Sequence, residues 1–154
     1  MTDDLKGRIS YSPVVQEDLD DLVALRIAAM RESLERINHF DPERARLRLT
    51  RSFDPLNTQW INLDGARVGF YVFKPGEDGF DLDHLYVHPN FQGNGIGAVV
   101  LRHLIAIADE AGLGIRLGAL RESDANRFYQ RYGFEQVGEG EWDIYYVRPA
   151  GNAS

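Results

Sequence analysis

Apolar residues recur along this chain with two different spacings, and each spacing predicts one kind of element. Helical spacing covers residues 16–37, and a second, more charged helix follows at 41–51, opened by Asp41 as N-cap and Pro42 at the first helical position. A third helix begins after a glycine-rich stretch and ends at Gly112, and a short fourth helix covers 124–132. The third helix presents one apolar face, formed by Ile96, Val100, Leu104, Ile107 and Ala111.

Strand-like segments lie between these helices, at residues 9–11, 58–63, 67–73, 80–88, 115–120, 134–138 and 142–147. Asp64-Gly65 is a strong hairpin turn signal between the second and third of them. The order β-α-α-β-β-β-α-β-α-β-β is neither a regular β-α alternation nor all-β. It predicts an α+β fold with a mixed sheet and one βαβ unit. We expect a single domain over residues 1–154, with a core from about 8 to 148 and frayed ends.

Composition narrows the class of protein. Hydrophobic residues make up 44% and charged residues 27% of the 154 residues, which is typical of a soluble globular domain. There is no cysteine, so disulfides, thiolate metal sites and an acyl-cysteine intermediate are excluded. No apolar run is long enough to span a membrane, and the acidic, polar start does not resemble a secretory signal. We therefore expect a cytoplasmic protein without membrane contact.

The net charge also bears on partners. Seventeen basic and 24 acidic residues give −7. Nucleic-acid binding needs clustered basic residues, so we expect no nucleic-acid partner. An acidic surface attracts cations, which favours a cationic substrate.

Three glycines at the start of the third helix, Gly93, Gly95 and Gly97, are poor helix formers, and each costs about 1 kcal/mol relative to alanine. A helix N-terminus carries unpaired N–H groups and partial positive charge, and glycines let a ligand approach that backbone closely. The stretch therefore predicts a loop that binds an anionic group. Gly93, Gly95 and Ala98 also match a loose dinucleotide pattern. About ninety residues precede it, however, and the next strand ends at Leu120, before Glu122, too far along for the expected acid, so that interpretation fails on context.

Two motifs resemble those of the GNAT superfamily of N-acetyltransferases. Val87-x-Pro89-x-x-Gln92-x-x-Gly95-x-Gly97 is similar to its acetyl-CoA signature, and the aromatic run at 128–134, with Tyr129 and Gly133-Phe134, is similar to its second motif. The resemblance is tight over residues 81–134 and topological before that. It implies the GNAT fold, in which the strands at 80–88 and 115–120 are parallel neighbours that splay apart.

The resemblance further implies a site for acetyl-CoA as acyl donor. The diphosphate would lie on the loop amides, and the pantetheine arm would run along the strand before the loop. The loop residues are Gln92, Gly93, Asn94, Gly95, Ile96, Gly97 and Ala98, and the strand residues are Leu85, Tyr86 and Val87. A backbone N–H near Val87 would face the thioester oxygen. Phe128 and Tyr129 would border the same cleft.

Catalytic roles follow from the same resemblance. Tyr129 matches the tyrosine that protonates the departing thiolate in many members. A protonated amine cannot attack, so a base is also needed. Asp81 occupies the position of a base in some members, while Asp83, His84 and a water chain stay open as alternatives. His84 is expected on the opposite strand face from the two aspartates unless a bulge intervenes.

One departure concerns the cofactor arm. Members commonly carry an asparagine shortly before the tyrosine, where this chain has Glu122-Ser123-Asp124-Ala125. Ser123 is the nearest match for a cofactor contact, and it is also a candidate helix cap. No metal site is expected, because His84 and His88 lie about 13 Å apart along a strand.

The sequence therefore predicts an acetyltransferase that moves acetyl from acetyl-CoA to a primary amine of a small molecule or peptide by direct attack. A non-catalytic acyl-CoA sensor with the same fold and a nicotinamide oxidoreductase are the alternatives. The acceptor is expected to meet the first two helices and the last hairpin. Polar residues there, better explained as a solvated face, are Arg31, Glu32, Glu35, His39 and Asp41. The aromatic residues Trp142, Tyr145 and Tyr146 are expected to pack in the sheet, and a homodimer is compatible with the family.

Overall fold

The computed structural model of the protein describes residues 2–36 and 41–150. Its helices are α1 (Thr2–Arg8), α2 (Leu19–Arg36), α3 (Pro42–Ser52), α4 (Ile96–Ala111) and α5 (Ala125–Arg131). Its strands are β1 (Ile9–Pro13), β2 (Thr58–Leu63), β3 (Ala66–Pro75), β4 (Gly79–Val87), β5 (Gly114–Leu120), β6 (Glu135–Glu139) and β7 (Asp143–Arg148). The predicted α+β class is confirmed, and most predicted elements agree to within two residues. The predicted end of the first long helix, Ile37, and His39 lie outside the described residues.

The seven strands form one mixed sheet in the order β1-β2-β3-β4-β5-β7-β6. Every neighbouring pair is antiparallel except β4 and β5, which are parallel and are joined by α4. The last hairpin turns back so that β7 lies beside β5 and β6 forms the edge. The predicted βαβ unit therefore lies in the middle of the sheet.

The parallel pair separates soon after it forms. β4 and β5 pair only at Gly79–Gly114, Phe80–Ile115 and Asp81–Arg116. Beyond that point β5 stays paired to β7 along residues 115–120. The register between β3 and β4 shifts next to Asp83, which is the extra residue of a β-bulge. A bulge bends the strand that carries it, so β4 turns away from β5 and a V-shaped gap opens.

Each face of the sheet carries its own core. On one face, α2 and α3 cover a cluster that includes Leu22, Leu49, Trp60 and Phe70. On the other face, α4 packs through residues that are fully or nearly fully buried, namely Ile96, Val100, Leu101, Leu104 and Ala108. The predicted face was wrong at its far end, because Ile107 and Ala111 are exposed and Ala108 is the buried position.

A helix at the N-terminus was not predicted. α1 precedes β1, and Leu5 packs against the second core, with its Cδ2 3.4 Å from the point where a Cβ on Gly95 would stand. The segment is only seven residues long and contains one apolar anchor, so its sequence lacks helical periodicity. Tertiary contact stabilises it instead.

The closed end of the V predicts the effect of a single methyl group. At Gly79 a Cβ would lie 2.8 Å from the Gly114 carbonyl oxygen, closer than side chains are found. We expect Gly79→Ala to separate β4 from β5 and to lower the free energy of unfolding by about 1–3 kcal/mol. Urea titration of the variant measures this.

Gly138→Ala is the matched control, because Gly138 lies in edge strand β6 with no described atom within 4 Å of its added Cβ. It should change the free energy of unfolding by less than about 0.5 kcal/mol. Equal stability of the two variants would show that the closed end tolerates the methyl group.

Candidate active site

The glycine loop adopts a backbone that other residues disfavour. Gly93 and Gly95 have φ of +80° and +85°, in the left-handed region that glycine adopts without steric cost. No described atom lies within 4 Å of the position of a Cβ on Gly93, so that side of the loop is open. Gly97 differs from these two glycines, because it lies inside α4 and packs close to a side chain. A Cβ added to Gly97 would lie 3.6 Å from Phe128 Cζ. The loop is thus bare backbone beside an aromatic wall.

The first turn of α4 leaves its amides without acceptors in the helix. The first helical hydrogen bond runs from the Val99 amide to the Gly95 carbonyl at 3.1 Å. The N–H groups of Ile96, Gly97 and Ala98 therefore precede the first hydrogen bond of the helix. Gly95 is the N-cap residue, and within the described residues no side chain forms a capping hydrogen bond there. These amides and the helix dipole make this end of α4 electropositive, which is the property that the predicted anion site requires.

Side-chain hydrogen bonds fix the loop to the strand before it. The Gln92 side chain donates from Nε2 to the Val87 carbonyl at 2.8 Å, and Asn94 donates from Nδ2 to the Phe91 carbonyl at 3.3 Å. The structure thus gives the Gln92 side chain a task that sequence reasoning did not assign. It holds the loop at the open end of the V.

The predicted strand residues lie along one wall of the gap. Beyond Asp81 the edge of β4 that faces β5 has no partner strand in the described chain. Leu85 and Val87 pack toward the α4 core, and Tyr86 packs toward the α2–α3 core. The backbone of these residues is therefore placed beside a space that an extended arm can enter.

Tyr129 is buried in the core on the α4 side of the sheet. It lies on α5, is 7% exposed, and packs against Phe128 and Phe134 with ring centroids 5.2 and 5.5 Å away. Burial, and to a lesser extent the neighbouring Tyr86 phenol, raises the pKa of Tyr129 well above its usual value. Its hydroxyl stays protonated at neutral pH.

A buried polar network joins α2, β4 and α3 on the opposite face. Arg26 donates from Nε to the Tyr86 hydroxyl at 3.2 Å, and that hydroxyl lies 3.1 Å from His84 Nδ1. His84 Nε2 lies 3.3 Å from the Ser52 hydroxyl, which donates to carbonyls of α3 at 3.2 and 3.4 Å. The hydrogen bonds of this network are mutually consistent if the Tyr86 hydroxyl donates to His84 Nδ1 and the His84 Nε2–H donates to the Ser52 hydroxyl.

His84 is held neutral by this environment. Burial lowers its pKa to about 3, with Arg26 the next cause and Arg48 and Lys74 further ones. The bulge at Asp83 places His84 and Leu82 on opposite faces, which is the exception that sequence reasoning left open. The side chains of Tyr86, Arg26 and Ser52 were missed, since they are far apart in sequence.

The two aspartates of β4 are already engaged. Asp81 accepts from Arg116 Nε at 3.0 Å at the last paired position of the V, and its side chain is 41% exposed. Asp83 forms an ion pair with Lys74 at 3.4 Å. Both lie toward the closed end of the gap, whereas the glycine loop lies at its open end.

Ser123 makes a local bond. Its hydroxyl donates to the Leu120 carbonyl at 2.7 Å, and it does not cap α5, whose N-cap is Asp124. Asn126 was missed by sequence reasoning. It donates to the Leu120 carbonyl at 2.9 Å and accepts from the Tyr146 hydroxyl at 2.8 Å, so it fixes the end of β5 to β7.

The two histidines of β4 and the loop serve separate purposes. His84 belongs to the buried network, whereas His88 Nδ1 accepts from the Asn90 amide at 3.1 Å. Among the described residues, no three histidine, aspartate or glutamate side chains cluster so that they could hold a metal ion. Within the same residues, no helix has the length and apolarity needed to cross a membrane.

The neutral histidine predicts how stability depends on pH. Below pH 6.5, the ordinary histidine pKa, the unfolded chain takes up a proton that folded His84 does not. The free energy of unfolding should therefore fall with decreasing pH, by up to about 1.4 kcal/mol per pH unit for this group. We expect His84→Gln to reduce that slope between pH 5 and 6.5 in urea titrations.

His103→Gln is the control, because burial and then Lys6 also lower the pKa of His103. Its removal should leave the His84 component of the slope in place. A wild-type slope in His84→Gln would contradict a neutral buried His84.

Comparison with known proteins places these features in a family. The family described as acetyltransferase (GNAT) domain matches residues 56–136. The peptidyl-lysine N-acetyltransferase YjaB of Escherichia coli is 30% identical over 97 residues, which are 62% of this chain and 61% of that protein. A ribosomal-protein alanine N-acetyltransferase of Haemophilus influenzae is 33% identical over 88 residues, 54% of this chain and 57% of its own length. The matches thus span about three fifths of these relatives.

Solved structures agree in fold. The PaiA N-acetyltransferase of Thermoplasma acidophilum, solved in complex with coenzyme A, superposes with a TM-score of 0.72 at 19% identity and covers 92% of this chain and 98% of that one. The ribosomal-protein alanine N-acetyltransferase of Escherichia coli gives 0.69 at 18% identity, with 95% and 96% covered. With the family match over more than half its length, this chain belongs to the GNAT acetyltransferase family.

Proposed function

We propose that the protein is an acetyl-CoA-dependent N-acetyltransferase that acetylates a primary amine by direct attack in a ternary complex. The observation that carries the proposal is the uncapped first turn of α4, with three free amides, at the open end of the V between β4 and β5. The family membership and two relatives named for acetyl transfer to amines support it.

The residues present fit the acyl donor. The amides between Gln92 and Ala98 would hold the diphosphate, since the loop is bare and the helix end is electropositive. The unpaired edge of β4 at 85–87 would bind the pantetheine arm as an added strand, and Phe128 borders the loop at Gly97. Ser123 stays a predicted contact for that arm, although its hydroxyl already donates to Leu120. The donor supplies an activated acetyl thioester.

Tyr129 is the proposed general acid. Its raised pKa keeps the phenol protonated, so it has a proton to give as the carbon–sulfur bond breaks. Its buried position would keep bulk water away from the proton-transfer step. A backbone N–H near Val87 is proposed to donate to the thioester oxygen as negative charge develops there.

The acceptor of the amine proton stays a prediction. His84 is a poor proton acceptor, because burial and three nearby cations hold its pKa near 3. Asp81 stays the proposed base, acting directly or through water. The Asp81 carboxylate would then accept the proton while it also accepts the hydrogen bond from Arg116. His84 instead orients the Tyr86 hydroxyl.

A charge placed on the loop tests the anion site. We expect Gly97→Glu to weaken binding of coenzyme A at least about tenfold relative to Gly97→Gln, because the two side chains have the same size and differ in charge. An acidic residue in the first turn is favourable to the helix dipole, so the melting temperature should not fall. Isothermal titration with coenzyme A measures the affinities. Equal affinities for the two variants would remove the diphosphate from this loop.

Removing one oxygen tests the general acid. We expect Tyr129→Phe to lower kcat by about 10²–10⁴-fold while leaving the affinity for coenzyme A unchanged, since only proton transfer is lost. Thiol release from acetyl-CoA over an amine panel measures kcat, and Tyr132→Phe, on the same aromatic run, is the control. Binding of acetyl-CoA without thiol release on every amine would instead favour the sensor function.

A further inference from the structure

A pocket opens on the face of the sheet that α2 and α3 cover. Its charged lining consists of Arg26, Arg44, Arg48 and Asp41, and its apolar lining includes Leu120 and Trp142. Leu120 is the last residue of β5, so the pocket lies at the open end of the V. It is separate from the glycine loop, which belongs to the α4 side.

Arg26 is the unusual member of this lining. It is 3% exposed, donates from Nε to the Tyr86 hydroxyl and donates from Nη1 to the Ala45 carbonyl at 2.9 Å. Both partners are neutral, and no carboxylate of the described residues forms an ion pair with Arg26. A buried guanidinium without an anion is costly, and a bound anion would offset that cost.

Two further arginines face the same space from α3. Asp41, Arg44 and Arg48 are spaced three and four apart, so they share one side of the helix. The Asp41 carboxylate accepts from the amides of Glu43 and Arg44 as the N-cap, at 3.1 and 3.2 Å.

Of these two arginines, Arg48 has an anionic partner. Arg48 lies 3.4 Å from Asp143, and that pair is open to solvent on the arginine side. Three guanidinium groups against these two carboxylates leave the pocket with positive charge. The lining is therefore suited to an anion with an apolar neighbour.

The pocket is linked to the reacting end of the proposed site. Arg26 contacts Tyr86, and Tyr86 is close enough to Tyr129 to raise its pKa. Tyr129 belongs to the core on the α4 side of the sheet, and Arg26 lies on α2, on the other side. Tyr86 thus connects a molecule bound at Arg26 with the proposed general acid.

We infer that the acceptor is a small amine that carries a carboxylate, of the amino-acid class, and that this pocket is its binding site. The carboxylate would be held by Arg26 and Arg44, with Arg48 adding charge, because planar guanidinium groups match a carboxylate with paired hydrogen bonds. An apolar side chain would pack against Leu120 and Trp142. This inference rests on the proposed function, and it opposes the cationic substrate that a net charge of −7 suggests.

Matched acceptors test the carboxylate. L-Phenylalanine and L-leucine are compared with their amides and with the corresponding decarboxylated amines, each at saturating acetyl-CoA. O-phosphoethanolamine, spermidine and a lysine peptide amide complete the panel and separate a carboxylate from a phosphate, a polycation and a protein acceptor. We expect kcat/KM to be at least about tenfold higher for the carboxylate member of a set.

Variants on α3 test the arginines without disturbing the core. Arg44→Gln should remove most of the preference for the carboxylate over the amide, measured as the ratio of the two kcat/KM values, and Arg48→Gln should reduce that ratio less. Both side chains are exposed, so folding should be retained. Arg51→Gln is the matched control, because Arg51 is an exposed arginine of the same helix that does not line the pocket. It should behave as wild type.

The outcomes separate the inference from the proposed function. Acetylation of the amides, spermidine, phosphoethanolamine or the peptide with equal or higher kcat/KM would overturn the inference and leave the acetyltransferase proposal standing. If no amine is acetylated, the proposed function fails. Thermal-shift titration with the same acceptors in the presence of coenzyme A then decides whether the pocket binds amino acids. If the amino acids raise the melting temperature of the wild type but not that of Arg44→Gln, the result supports the pocket as their binding site. If none of them raises it, the inference is overturned.

Discussion

The separation of two parallel strands is the constraint on which the other features of this protein depend. β4 and β5 are paired at three positions and then separate. They separate because the bulge at Asp83 bends β4, whereas β5 stays paired to β7. A parallel pair in mid-sheet is normally buried and continuous. Here the interruption leaves polar backbone of β4 without a strand partner, and such groups need a hydrogen-bond partner from solvent or a ligand. The gap is thus suited to a ligand that pairs with the β4 backbone, as the proposed function requires.

In the proposed reaction, the gap connects the two faces of the sheet. The α4 side contributes the electropositive glycine loop and Tyr129, while the α2–α3 side contributes Tyr86 and the arginine pocket. A continuous sheet would keep these groups apart. In the proposed reaction the donor and the acceptor therefore enter from opposite faces and meet only where the strands have separated.

Local charge and net charge differ in this molecule. The net charge of −7 is a property of the whole surface. Charges further apart than about 8–10 Å are largely screened at physiological ionic strength, so the lining of a pocket matters more than the sum over the chain. Arg26 is the clearest case, since its low exposure reduces screening and its two hydrogen-bond partners are neutral. The folded arrangement thus supports the inferred carboxylate-bearing acceptor over the cationic substrate that composition alone suggests.

Much of this protein was determined by local sequence, and the rest by contacts between distant residues. Helical and strand spacing, the hairpin turn and the glycine loop were predictable, because each depends on residues a few positions apart. The splay followed from family resemblance. The α1 helix, the turn of Ile107 to the surface and the task of Asn126 were not predictable, because tertiary packing decided them. The buried polar network depends on the bulge in β4 and on the relative positions of three elements. Its members, Arg26, Ser52 and the β4 pair of His84 and Tyr86, are far apart in the sequence, so no local pattern predicts their contacts.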